Sequence, residues 1–178
     1  MKIVIINGKA GVGKDCFVTM CKDILGADLV KNVSTVDYVK EVAKFCGWDG
    51  TKTPNNRKFL SDLKDLLTEW DDIPLKKVSE AVDEYNEYLL KNEMYSTGVI
   101  FIHCREPKEI EKLVDEFGED TVTLLIRRSA AESVEQINHA DNEVLGYAYD
   151  YTIWNDSTLS WLRSEAMVFL RDYLGFNI

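Results

Sequence analysis

The sequence predicts a three-layer α/β/α fold built on a parallel sheet of about five strands. Short runs of β-branched and aliphatic residues alternate with longer stretches of helical periodicity, the pattern of strands joined by crossover helices. The clearest runs, KIVIIN at 2–7, VIFIH at 99–103 and TVTLLI at 121–126, are apolar without alternation, as strands covered on both faces must be. With 178 residues, 46% of them hydrophobic, the chain can bury a sizeable core in one domain without disulfides.

The elements follow in order. Residues 2–7 form the first buried strand, and residues 13–25 read as a helix that Gly26 ends. Residues 29–33 are a weaker strand. Ser34 or Thr35 caps a helix over 36–46, with Val36, Val39, Ala43 and Cys46 on one face and Gly47 as its stop. Residues 47–56 are a loop by their Gly, Asp, Thr, Pro and Asn content. Residues 57–70 form an amphipathic helix with Leu60, Leu63, Leu67 and Trp70 inward. Pro74 opens another to about residue 91, with Leu75, Val78, Val82, Tyr85 and Leu89 inward. After the strand at 99–103, Pro107 starts a helix that Gly118 ends. After the strand at 121–126, residues 129–146 are polar and irregular. Residues 149–154 give a last strand, and a helix runs from 159 to about 174. No internal repeat is present.

Charge narrows the function classes. Basic residues number 21 against 31 acidic ones, a net charge of −10, which argues against bulk binding of nucleic acid or of an anionic membrane. Residues 1–60 carry 10 basic and 6 acidic side chains, and residues 61–178 carry 11 and 25. The mild cationic excess of the first third suits an anion site. The cysteines, Cys16, Cys21, Cys46 and Cys104, form no CxxC pair and are expected as reduced thiols in a cytoplasm. The N-terminal apolar run is too short for a signal peptide, and no stretch approaches the roughly 18 apolar residues of a membrane span.

Sites in parallel sheets lie at the carboxyl ends of the strands, here after Asn7, Ile102 and Ile126. Cations follow each: Lys9 and Lys14, then Arg105, then Arg127 and Arg128. Three strand ends delivering cations to one edge imply a polyanion there.

The sharpest signal is Gly8-Lys9-Ala10-Gly11-Val12-Gly13-Lys14-Asp15, a GxxxxGK Walker A pattern between a buried strand and a helix. Its glycines allow positive φ and close approach to phosphates. Its amides, with the start of the following helix, form an anion-binding concavity. Lys14 adds a mobile charge that can follow a transferring phosphoryl group. Asp15 stands where Ser or Thr usually contacts Mg²⁺. A carboxylate there either ligates the metal, giving strong Mg²⁺ dependence, or merely occupies a first helical turn that favours anions. Cys16 either packs as a small buried residue or reaches a phosphate.

The GKD form of the loop resembles that of bacteriophage deoxynucleoside monophosphate kinases and animal-type phosphomevalonate kinases, both in the nucleoside monophosphate kinase-like group of P-loop proteins. The likeness extends to Val33-Ser34-Thr35 before a helix, Arg57-Lys58-Phe59-Leu60 opening another, Phe101-Ile102-His103-Cys104-Arg105-Glu106 at a strand end, Arg127-Arg128, and Tyr149 to Asp156. The resemblance implies a P-loop NTPase fold in one kinase domain over 1–178. It implies an acceptor-binding helical region at 36–93 and a lid-like segment at 128–148. ATP and Mg²⁺ would be the cofactors, with Asp15 at the metal. Gly8, Ala10, Gly11, Val12, Gly13, Lys14, Asp15, Cys16, Arg127 and Asn155 would hold the nucleotide. Ser34, Thr35, Arg57 and Arg105 would hold the acceptor, and Lys14, Arg105 and Arg128 would serve catalysis.

The chemistry agrees with that residue set. An acceptor phosphate is already ionised at neutral pH, so positioning and charge neutralisation by arginines replace a general base. Two departures stand out. His103 occupies the strand end where the resembled families usually carry an acidic residue, and residues 47–92 differ too much to carry over an acceptor. The partner that the resemblance implies is a small-molecule phosphate acceptor, with a nucleoside or deoxynucleoside monophosphate as the leading expectation. Phosphomevalonate or a coenzyme A precursor, or nucleotide binding without turnover, are the alternatives. No nucleic-acid or membrane partner is expected, and the chain is expected as a monomer or homodimer. His103 reads as a hydrogen-bonded strand-end residue or a catalytic one. His139 reads as part of a solvated loop or as a nucleotide contact.

Overall fold

The structure, a computed structural model, describes residues 1–94, 98–118, 120–132 and 144–178. Five strands, β1 (Lys2–Asn7), β2 (Val30–Ser34), β3 (Val99–His103), β4 (Thr121–Arg127) and β5 (Tyr151–Trp154), form one sheet in the order β2-β3-β1-β4-β5. Every neighbouring pair is parallel. The helices are α1 (Lys14–Leu25), α2 (Asp37–Phe45), α3 (Pro54–Asp71), α4 (Ile73–Lys91), α5 (Pro107–Phe117), the single turn α6 (Ser129–Glu132), and α7 (Leu159–Val168), which runs on as a π-helical turn over Phe169–Tyr173. Three layers result, as expected.

The two-residue period of a strand divides the core. Val4 and Ile6 of β1 pack with Phe101, Leu124 and Ile126 under α1 and α7, through Phe17, Val18, Cys21, Leu162, Ala166 and Phe169. Ile3 and Ile5 face the other way, with Ile100 and Ile102, onto α4 and α5 through Leu75, Val78, Val82, Tyr85, Leu89, Ile110 and Leu113. The five inward positions expected of α4 are all buried.

Several boundaries and faces differ from expectation, each for a local reason. α3 begins at Pro54 because Thr53 caps it, its hydroxyl accepting from Asn56 N–H at 3.2 Å. Trp70 is not inward but 81% exposed. The helix ends beside it at Asp71, and Asp72, with φ of 48°, turns the chain into α4, so the last turn of α3 overhangs its support. Cys46 is exposed because α2 stops at Phe45. β5 starts at Tyr151 because the Asp150 carboxylate takes the Thr123 N–H at 2.8 Å and its hydroxyl at 2.7 Å, replacing a ladder bond with a side-chain clasp. All four cysteines are free thiols. Among the described residues no helix is long and apolar enough to cross a membrane.

Phe17 is fully buried and meets Phe101 edge-on at 6.2 Å and Phe169 at 5.8 Å, joining α1, the sheet and α7. Phe17→Ala is expected to lower unfolding free energy by about 3–5 kcal/mol, read as a shift in the urea midpoint at unchanged slope.

Candidate functional site

The site lies where adjacent parallel strands send their crossovers to opposite faces. α1 leaves β1 on one side of the sheet and α5 leaves β3 on the other. A crevice must open between the two strand ends, and ligands in such sheets bind there. The cation-bearing ends of β3, β1 and β4 are neighbours, with Ile6 in register with His103 and Asn7 with Leu125.

Asn7, fully buried at the end of β1, holds this edge together. Its Oδ1 accepts from Gly8 N–H at 2.7 Å, and its Nδ2 donates to the Arg105 carbonyl at 3.1 Å and to the Tyr149 hydroxyl at 2.6 Å. Tyr149 in turn donates to the Val144 carbonyl at 2.8 Å. Neither Asn7 nor Tyr149 was among the expected site residues. The available signal was an amide closing an otherwise apolar strand.

The loop has the shape its glycines require. Gly8, Gly11 and Gly13 take φ of 144°, 80° and 101°. A Cβ on Gly8 would lie 2.3 Å from the Ile126 carbonyl oxygen, and one on Gly13 would lie 2.5 Å from Asn155 Nδ2. Both ends are therefore wedged against β4 and the turn after β5. Gly11, at the exposed crest, meets nothing. Ala10 is half-buried in the loop, and Val12 turns its side chain into the core, leaving its backbone to the site. The Val12 carbonyl accepts from Asn155 Nδ2 at 2.8 Å. Lys14 folds back over the loop, donating to the Gly8 carbonyl and, at 3.0 Å, to that of Lys9. Cys16, partly buried, packs against the α1-side core.

On the β4 side, Arg127 lies over the Trp154 ring at 4.1 Å, within cation–π range. The Arg127 carbonyl accepts from Asn155 N–H at 2.7 Å. Arg128 is exposed. Beside it, Ser129 donates its N–H and hydroxyl to Asp156, both at 2.7 Å. These bonds, with Arg128 adding to them, hold the Asp156 carboxyl below its usual range. Of the lid-like segment expected at 128–148, residues 133–143, His139 among them, lie outside the described residues.

On the β3 side, the acceptor residues expected from the sequence serve first as stitching. The Ser34 hydroxyl and the Thr35 N–H both donate to the His103 carbonyl, at 3.4 and 3.1 Å. Thr35 is buried. Arg57 is exposed at the start of α3 and donates from Nε to the Lys52 carbonyl at 3.3 Å. Arg105 is half-buried beside the loop, its carbonyl held by Asn7.

His103 Nε2 is buried without a hydrogen-bond partner. It faces Asp15 Oδ1 at 3.7 Å, and the Asp15 side chain is 94% exposed. Burial lowers the His103 pKa to about 4, against the pull of Asp15, so the ring is neutral at pH 7. Glu106, just beyond the β3 end, is already paired. Lys64 of α3, buried, donates to Glu106 at 2.6 Å and to Glu109 at 2.8 Å. Burial opposes the Lys64 charge, but the two carboxylates more than restore it and raise its pKa. This network, unforeseen in the sequence, ties α3 to the β3 end. Among the described residues no three His, Cys, Asp or Glu side chains gather into a metal-binding group. Asp15 and the orphaned His103 nitrogen still fit a cation whose other ligands come from phosphate and water.

No family model and no curated protein matches the chain. Solved structures similar over nearly its whole length include an APS kinase mutant from Mycobacterium tuberculosis, at 12% identity and TM-score 0.43, covering 96% of each chain. A shikimate kinase from Aquifex aeolicus has 14% identity and TM-score 0.48, covering 98% of this chain and 99% of its own. A sugar kinase from Janibacter has 13% identity and TM-score 0.46, covering 98% and 96%. The acceptors in those names belong to those proteins.

Two outcomes are expected here. Lys64→Ala leaves Glu109 buried without its counter-charge and is expected to cost about 3–5 kcal/mol of unfolding free energy, whereas Lys64→Ala combined with Glu109→Leu recovers much of that loss. For His103, the unfolded ring takes up a proton near pH 6.5 that the fold excludes until about pH 4, so stability falls as pH drops through that window. Between pH 7 and pH 5, His103→Gln is expected to lose about 2 kcal/mol less than the parent, measured by urea unfolding at both values.

Proposed function

We propose that this chain is a small-molecule kinase that transfers the γ-phosphoryl group of ATP to a phosphorylated acceptor, a nucleoside or deoxynucleoside monophosphate first. The observation that carries the reading is the loop itself. It has three left-handed glycines, two of them wedged so that no side chain fits, between a buried strand and a helix N-terminus, with Lys14 folded over it. Such a concavity of amides selects a polyphosphate.

The roles follow from position. The loop amides and the start of α1 bind the donor phosphates, and Lys14 exchanges its loop carbonyls for phosphate oxygens. Arg127 and Trp154 form a flat cationic platform next to Asn155, suited to the base. Arg105 and Arg57 hold the acceptor phosphate, and Arg128 closes over the transferring group. Mg²⁺ neutralises charge on the phosphate chain when bound, and Asp15 with His103 are the chain's own groups that would hold it. Asn7 fixes the loop against the Arg105 backbone, so donor and acceptor sites keep one spacing.

His103 at the strand end favours a second reading, a nucleotide-binding module without turnover. ADP release measured over a panel of nucleoside monophosphates, phosphomevalonate and phosphorylated coenzyme A precursors separates the two. Turnover with one acceptor class, abolished in Lys14→Ala together with ATP binding, is the expected result. ATP affinity unchanged by Lys14→Ala would remove the assignment of the loop.

A further inference from the structure

The resting partner sets around the β3 end single out one pair of donors. Glu106 is engaged by Lys64 at 2.6 Å, and Asp37 by Lys40 at 3.1 Å. Ser34 and Thr35 bond the backbone carbonyl of His103, not its ring. Asp15, the residue after the loop lysine, is the carboxylate whose oxygen stands 3.7 Å from the orphaned His103 nitrogen. The exposed Asp15 side chain needs to turn by less than about 1 Å to bring the two atoms to the roughly 3 Å that separates neighbouring ligands of one octahedral cation with bonds of about 2.1 Å. A polar atom shut away from water with no partner is costly, and such an exception calls for an absent ligand.

We infer that the nucleotide-bound cation is ligated by His103 Nε2 together with Asp15, and that this mixed nitrogen–oxygen set favours Mn²⁺-class transition cations over Mg²⁺. The inference rests on the loop being a nucleotide site. Mg²⁺ takes oxygen ligands and keeps its waters, whereas imidazole suits later, softer divalent ions. An acid at the strand end would make the set all-oxygen and suit Mg²⁺. Histidine there trades hard for borderline ligation, and Asp15 keeps the anionic charge that a histidine alone would forfeit.

Pulsed electron paramagnetic resonance of Mn²⁺ with ADP and the protein tests this. The expected result is nitrogen modulation at the manganese that changes pattern when the protein carries ¹⁵N-histidine, which separates imidazole from adenine nitrogen. The modulation is lost in His103→Gln and kept in His139→Gln. In His103→Asp, the preference for Mn²⁺ over Mg²⁺, measured by calorimetry with ADP present, falls on the order of tenfold. Mn²⁺·ADP bound in the parent protein without histidine modulation would overturn the inference and leave the nucleotide site standing. ADP failing to bind with either metal would overturn both. The labelling experiment on the parent protein needs no variant to fold.

Discussion

The site depends on a backbone held open from both ends. Between β1 and α1 the chain passes through left-handed conformations at Gly8, Gly11 and Gly13. Such a path is soft in isolation, because glycine carries the largest entropy loss on ordering. Here it is clamped. Gly8 lies against the Ile126 carbonyl and Gly13 against Asn155, which itself hangs from the end of β4 through the Arg127 carbonyl. The loop's shape is thus set by strands on the far side of β1, and the fold exists around it as a frame.

The inner frame was legible because burial on both faces leaves an unambiguous trace. β1, β3 and β4 read as apolar runs, α4 showed all five of its inward residues, and the glycine pattern announced the loop. The outer helices were less legible, because half-buried faces are decided by neighbours. Trp70 sits on the correct stripe of α3 yet overhangs solvent, and Lys64, three residues before Leu67, is the deepest residue on that helix. A lysine inside an apolar stripe was the only hint, and its partners, 42 and 45 residues away, could not be read from local pattern. Asn7 and Tyr149 were hidden for the same reason, being 142 residues apart. Of the candidate site, the glycine loop was open to sequence reasoning and the hydrogen-bonded support behind it was not.

That support also explains how one edge keeps two cationic groups apart. Asn7 ties the Arg105 backbone to the loop, while Arg127 is drawn over Trp154 on the opposite flank. Between them, at the ends of β1 and β3, the exposed Asp15 carboxylate stands over the mostly buried His103 ring.

The Lys64 network gives the two long helices seats of different chemistry. α4 rests on five apolar side chains, whereas α3 is fastened by an ammonium between two carboxylates. Hydrophobic attachment weakens on cooling, and ionic attachment fails when its carboxylates take up protons. Cold therefore weakens chiefly the seat of α4, and acid chiefly the tie of α3.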